Sequence, residues 1–539
     1  SKSDKPLLDA EDKQVKFQGI DDVIVDHKTG ILSALKMASE SSIPTNLEFK
    51  KKLQQAFKED KSLREKYNVK DASVMDDNLF KYLVDAYTHE TLVAIKNYPD
   101  ALGWYDAKTK AAMATIAVIH PEIATDPEAA AAFKIALAIT SNGNKVVKNF
   151  EEADTQYTSY KETGKFIPKG NVGTQSASIN KQFAMLNEML EYINMSELSE
   201  FLTTEMKAGD IFYRDNKGKK VNVISGLGVD ETVFGAAIFG PKIGNGFFMN
   251  LYGDFTQLTM DRWFIRQYGR LTGTLISVDP KLVRDNKTRL REGIKSLTSE
   301  ERKQLRNLIG PLSKLNPNQM ANAIEKATGD KDLRKILQAS PGLNEVRKAG
   351  NNLAKNLRGE VEAPRGSKQR QFIVSVFDEL QRVLKQDYDI DITIADLQAV
   401  NWYPEKGLYQ TFQKGRDIDD GKEGTSDNEQ PDYESAAKKL ATSKYGIEES
   451  KINDATASIR EEGESLRESN RARIEELSSE PSPAVQKTKG LVEDISAKRK
   501  PLIKKIKDNL PQEEDSNSEQ GIKRQDIVDT VGDMMVEPS

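Results

Sequence analysis

The segment AKTKAAMATIAVIHPEIATDPEAAAAFKIALAIT, residues 107–140, narrows the fold more than any other part of the chain. Alanine has the highest helix propensity and no side-chain entropy to lose, so the run is helical. Pro127 follows Thr125 and Asp126, the arrangement of a first-turn proline behind a capping residue. Ile135, Leu137 and Ile139 interleave with alanines, which makes this helix apolar on most sides. Such a helix is stable only inside a larger assembly. TSNGN (140–144) ends it, and Val146, Val147 and Phe150 open the next helix. A mainly α-helical protein built around a buried helix is expected.

Flanking segments carry the same period. NLEFKKKLQQAFKEDKSLREKY (46–67) and MDDNLFKYLVDAYTHETLVAIKNY (75–98) space apolar residues three and four apart. Asn46 and Asp76 or Asp77 are their expected caps. DIFYRDNKGKKVNVIS (210–225) alternates around Asn-Lys-Gly and reads as a small inserted β-hairpin. Residues 280–370 are helical and basic in places, and 372–412 is an apolar, aromatic unit that must pack into something. After about Arg416, phenylalanine and tryptophan vanish, and segments such as PQEEDSNSEQ bury too little to offset ordering entropy. The chain thus divides into a helical N-terminal extension (1–105), a core (106–290), a basic helical segment (291–371), a core-completing segment (372–415) and a disordered polar tail (416–539). Short helical pieces such as YESAAKKLATSKYG are expected within the tail.

Composition excludes several chemistries. The 539 residues contain no cysteine, so disulfides, thiolate nucleophiles, Cys-ligated zinc and iron–sulfur clusters are ruled out. Three histidines (27, 89 and 120) make a His-rich metal site improbable, and no metal or cofactor is expected. There is no 18-residue apolar run and no amino-terminal signal, so no membrane association and an intracellular location are expected. Net charge is only −5, and any nucleic-acid surface must therefore be a local patch of Lys and Arg.

Residues 229–273 supply the functional candidates. VDETVFGAAI (229–238) reads as a short helix that FGPKIG cannot continue, because Pro241 lacks an N–H and Gly240 frees the backbone to turn. NGFFMNLYG (245–253) reads as a second short helix, ended by Gly253. A glycine hairpin between two helices leaves N–H groups at a helix start, which suits a phosphate oxygen. Asp261 then opens a helix carrying Trp263, Phe264, Arg266, Tyr268, Arg270 and Leu271. An acid in that position is, on general grounds, a helix cap.

This region resembles the helix-hairpin-helix DNA glycosylase superfamily, over about 130–275 and closing with 372–412. Its bifunctional members hold a catalytic lysine in a hairpin of the form Leu-Pro-Gly-Val-Gly-x-Lys, with an essential aspartate eighteen or nineteen residues further on. Gly240, Pro241, Lys242, Ile243 and Gly244 match the second half of that hairpin, and Asp261 lies nineteen residues beyond Lys242. Ile238 stands in place of the first hairpin glycine, and Trp263 in place of the histidine that follows the family's aspartate. The resemblance implies a glycosylase-like helix-hairpin-helix core, with Lys242 as Schiff-base nucleophile and Asp261 as stabiliser of the oxocarbenium-like sugar. It further implies Gly240, Gly244, Asn245, Arg262 and Arg266 on the DNA backbone, and Trp263 or Phe247 against a flipped base.

Three other motifs carry less. SGLGVD (225–230) lacks the Lys-Ser/Thr ending and spacing of a phosphate loop and reads as a turn. NWYPEKGLY (401–409) reads as the anchor of the last core helix, and DYDIDITIAD (387–396) alternates as a strand edge would. The expectation is a DNA-binding, DNA-repair-type protein: a glycosylase with AP lyase action that needs no cofactor. The alternative is a non-catalytic, virion-associated or structural DNA-binding protein that keeps the fold. The long tail suggests a phage-encoded protein, in the host cytoplasm or packaged in a virion, with protein partners reached through the tail.

Overall fold

The computed structural model describes residues 30–39, 43–60, 66–97, 102–103, 106–170, 176–214, 218–224, 227–240, 243–413 and 432–478. Among these the protein is mainly helical. The first helices are α1 (Ile31–Ala38), α2 (Asn46–Glu59), α3 (Asp77–Asn97) and α4 (Ala107–Ile119). Thr45, one residue before the expected Asn46, caps α2 by accepting from the Glu48 N–H, and Asp76 caps α3 through the Leu79 N–H. Next come α5 (Pro127–Thr140), α6 (Val146–Thr163), α7 (Ser176–Met189) and α8 (Met195–Thr203). Asp126 caps α5 with Pro127 in its first turn, and every residue from Ala131 to Thr140 except Lys134 is buried.

Four short strands follow: β1 (Glu205–Lys207), β2 (Phe212–Arg214), β3 (Lys220–Asn222) and β4 (Thr232–Phe234). The hairpin expected over 210–225 is β2–β3, in antiparallel register with Tyr213 opposite Val221. The helix expected over 229–238 is replaced by β4, which pairs antiparallel with β1, Met206 facing Val233, and then by one tight helical turn, Gly235–Phe239. Residue Val233 lies between polar Thr232 and Glu231 on one side and Phe234 on the other, and a free edge on β1 supplies the ladder hydrogen bonds that a lone helix of this length would lack.

Further along are α9 (Arg262–Thr272), α10 (Pro280–Ser296), α11 (Ser299–Ile309), α12 (Pro317–Gly329), α13 (Lys331–Gln338), α14 (Pro341–Arg358), α15 (Ser367–Tyr388) and α16 (Ile394–Gln413). No strand forms at 387–396. Asp389 takes a left-handed conformation (φ 53°) that ends α15, and Ile390, Ile392 and Ile394 are buried without a strand partner. Alternation there reflects burial of every second side chain, not sheet pairing.

The final described elements are α17 (Tyr433–Tyr445) and α18 (Glu449–Ser478). Part of the expected polar tail is therefore packed helix. Ala436, Ala437, Leu440 and Ala441 of α17 are buried. Asn470 and Arg473 of α18 donate to the Asp391 and Tyr388 carbonyls, both at 2.9 Å. Alanines with Leu440 supply the apolar contacts of α17, and an average over composition hides them. Residues 414–431 and 479–539 lie outside the described residues.

Among the described residues three larger cores organise the helices, beside a small one around Ile211, Ile224 and Val233 at the strands. The first joins α1, α2 and α3 to α9, α15 and α16, with Tyr87, Phe264 and Phe377 in mutual ring contact. The Tyr82 hydroxyl donates to the Leu271 carbonyl at 2.8 Å, so the N-terminal helices share the core of α9. The second surrounds α5 and takes in α6, α7, α8, the 235–251 segment and α17. The third belongs to α10–α14 alone, around Leu290, Leu305, Ile324, Leu343 and Leu353. Chain entry and exit of that bundle meet side by side: Ser277 N–H donates to the Gly359 carbonyl and Val361 N–H to the Leu275 carbonyl. No helix among the described residues is long and apolar enough to cross a membrane.

Candidate nucleic-acid site

The glycine segment lies between two helical turns, Gly235–Phe239 and Phe248–Leu251, joined through a wide turn at Ile243–Phe247. Gly240 has φ +101°, a conformation open to glycine, and its carbonyl accepts from the Gly244 N–H at 2.8 Å. A Cβ on Gly244 would fall 1.9 Å from the Ala236 carbonyl oxygen, so the backbones of the two turns touch. Phe239, Ile243, Phe247 and Phe248 anchor the segment in the second core. Pro241, Lys242 and the Asn245 side chain lie outside the described residues.

A polar knot connects this segment to Asp261. Buried Asn250 donates to the carbonyls of Asp254 (2.9 Å) and Gln257 (3.1 Å) and accepts from the Thr259 hydroxyl (3.2 Å). Thr259 in turn accepts the Asp261 N–H on its carbonyl at 2.9 Å. Gly246 rests against the same residue: an added Cβ would stand 2.9 Å from Thr259 Cα. Asp261 itself is the N-cap of α9, accepting from the Phe264 N–H at 2.9 Å, worth about 1 kcal/mol. Sequence reasoning passed over Asn250, although an amide inside FFMNLYG, among apolar neighbours, was a readable sign of a buried polar contact.

The arginines of α9 diverge. Arg262 is exposed, with Nε 3.5 Å from Glu362. Arg266, expected on the DNA backbone, is instead 1 % exposed. Its guanidinium lies 4.7 Å from the Trp263 ring and 4.8 Å from the Tyr409 ring, and it bonds Glu362 at 3.2 Å. The physical reason is burial on every side: each residue of α9 from Phe264 to Thr272 is buried, and Arg266 and Arg270, four residues apart, share a side of the helix away from Phe264 and Leu271. Arg270 is fully buried, gripping both oxygens of Glu90 (2.7 and 2.6 Å) and Glu405 through Nε (2.9 Å). Gln267 and Asn401 extend this network to Thr91. Burial alone would lower the Arg270 pKa, but Glu405 and Glu90 raise it well above the usual arginine value. Burial pushes the Glu405 carboxyl above its ordinary value, against the pull of Arg270.

Neither aromatic expected against a flipped base stands open. Trp263 packs edge-on to Trp402 at 6.5 Å and against Tyr409. Phe247 is buried and stacks on Tyr433 of α17, centroids 5.6 Å apart and planes 20° apart. Beside Asp261 a cleft of about 740 Å³ opens between β4, the 257–262 loop, residues 362–364 and the start of α15. Met260, Arg262, Glu231, Glu362 and Arg370 line it, a mixed-charge wall.

Comparison with protein-family models, with curated proteins and with solved structures finds no match in any of the three.

One further cluster fixes α17 over this region. Asp154 Oδ1 meets His120 Nε2 at 2.8 Å, while Asp154 accepts from Lys444 (2.5 Å) and the Tyr445 hydroxyl (2.9 Å). At the other end of α17, Asp432 pairs with Lys108 at 2.9 Å. These groups serve docking, and among the described residues no cluster of His, Asp and Glu could hold a metal ion.

Proposed function

We propose that this protein is a DNA-binding protein of the helix-hairpin-helix glycosylase type, with glycosylase and AP lyase action through Lys242 and Asp261. One observation carries the reading. Gly246 and Asn250 clamp the glycine segment to Thr259, and Thr259 holds Asp261 two residues later. The described part of the glycine segment, from Ile243 onward, and the acid are thus packed together, an arrangement that suits a site acting on a single sugar.

In this chemistry the flipped nucleotide leaves the base stack. The neutral Lys242 amine attacks C1′ as the bond from C1′ to the base breaks, and the base departs with a proton. Asp261 stabilises the positive charge that develops on the sugar. Ring opening carries the amine's remaining proton to the ring oxygen and leaves a Schiff base at C1′, and β-elimination then removes a C2′ proton as the C3′–O bond breaks and the 3′ phosphate departs. Lys242 must be deprotonated to attack, which a desolvated or positively charged setting favours. Arg266 and Trp263 take no part, since Arg266 is buried and Trp263 packs against Trp402 and Tyr409 at the edge of the first core.

The test is strand cleavage of an end-labelled duplex with one abasic site. The wild-type protein is expected to nick it, and Lys242→Ala and Asp261→Asn to lose the activity. A second reading, a non-catalytic DNA-binding or virion protein, draws on two contacts: Asp261 is engaged as a helix cap, and Phe247 is covered by Tyr433. DNA bound without nicking by the wild type would select it.

A further inference from the structure

We infer that the α10–α14 bundle is a second DNA-backbone surface, separate from the hairpin, and that its contact stripe is Lys281, Arg284, Arg291 and Lys295 of α10. Residues 280–358 hold eighteen Lys and Arg against eight Asp and Glu, a net +10, whereas the whole chain is −5. The excess is local, as phosphate binding requires.

The stripe follows from the phase of α10. Val283, Asn286 and Leu290 turn inward. Lys281, Arg284, Thr288, Arg291 and Lys295 recur at steps of three and four on the outer side, and all five are exposed. At 1.5 Å per residue the four charges span about 21 Å, the rise of about six base pairs. Among the described residues none of the four pairs with a carboxylate. Asp285 and Glu292 are exposed at the border of the stripe without bonding any of the four, while elsewhere on the bundle Lys335, Lys348 and Arg358 pair with Asp332, Glu345 and Glu325. A merely solvated helix face would be laced with such pairs.

Two features narrow the partner. The apolar side of α10 is spent on the bundle core, so the helix has no apolar face to lay into a lipid surface. Charge without apolar contact suits a phosphodiester backbone. The bundle is also held firmly to the body. Its return strand carries Glu360, bonded to Lys50 at 2.5 Å, and Glu362, which bonds Arg266 and lines the cleft beside Asp261. That the polyanion is DNA rests on the reading proposed for the hairpin.

The experiment measures binding of the full chain to a fluorescent, lesion-free 20-base-pair duplex across salt concentrations. Three variants are compared: the stripe set K281Q/R284Q/R291Q/K295Q, an equal-charge set K331Q/K335Q/K348Q/K355Q, and Lys242→Ala. The stripe set is expected to flatten the log–log salt slope by about 3.6 and to weaken binding roughly tenfold or more at 0.1 M salt. The equal-charge set is expected to change the slope by less than half as much, with both sets melting as the wild type does. A wild-type slope in the stripe set, equal losses in both sets, or equal stripe-dependent binding to phosphatidylserine vesicles would overturn the proposal. So would a wild-type protein that binds no duplex. Loss confined to Lys242→Ala would overturn this surface and leave the hairpin reading standing. An intact stripe effect with no nicking of abasic DNA would sink the hairpin chemistry alone.

Discussion

Gly246 lies against Thr259 so closely that a methyl group on the glycine would sit 2.9 Å from the Thr259 Cα. This contact, with the Asn250 side chain beside it, decides where Asp261 stands. Gly246→Ala should therefore separate hairpin from acid, costing about 1–3 kcal/mol through overpacking. Gly244→Ala should cost as much or more, because its obstacle, the Ala236 carbonyl, is backbone that cannot rotate away. Urea unfolding of both variants measures the effect, and wild-type midpoints would contradict the packing described.

Asn250→Leu removes one donor pair and one acceptor at a buried position. The Asp254 and Gln257 carbonyls then lose their partner, for a loss of about 1–3 kcal/mol. Abasic-site nicking should fall further than stability alone explains, since Asp261 loses its support. Nicking measured well below the melting temperature separates the two effects.

The ion-pair network on α9 has an asymmetry. Arg270→Met leaves Glu90 and Glu405 facing each other in the core and should cost about 3–5 kcal/mol. Glu405→Gln should cost less, because burial already favours its neutral form and Glu90 keeps the two-pronged contact with Arg270. Chemical denaturation of the two variants should rank them in that order.

Acid should loosen the docking of α17. Burial acts to raise the Asp154 pKa, but the bonds from His120, Lys444 and Tyr445 leave it below the ordinary aspartate value. Asp432 is likewise lowered: Lys108 outweighs burial. Groups lowered in the folded state add stability above their unfolded pKa, about 4, and lose it as pH falls through the folded values. Melting temperature should drop as pH falls below about 4, and Asp154→Asn should shrink the drop. Glu405, raised in the fold, works with the opposite sign: its contribution is present below about 4.3 and lost as pH rises through its folded value.

Local signals in the sequence were legible where the structure is local. Asp126 and Pro127 start α5, the alternation around Asn-Lys-Gly makes β2–β3, and Asp261 caps α9. What escaped depends on distance along the chain. Arg266 read as a DNA-backbone contact because its partner Glu362 lies 96 residues away, and the buried network of Arg270 was hidden because Glu90 and Glu405 lie 180 and 135 residues from it. β4 read as helix because its partner β1, Glu205–Lys207, is a three-residue strand with no pattern of its own. Three of the buried residues of α17 are alanines, which carry little hydrophobic signal. At the site, the spacing of Lys242 and Asp261 was readable, whereas the Asn250 knot that fixes the acid needed coordinates.

The most direct test is borohydride trapping of the full chain on a duplex containing one abasic site, followed by peptide mapping of the adduct. A covalent adduct on Lys242, absent in Lys242→Ala and diminished in Asp261→Asn, is the expected result. No adduct from the wild-type protein, or an adduct on another lysine, would contradict the site built on this hairpin.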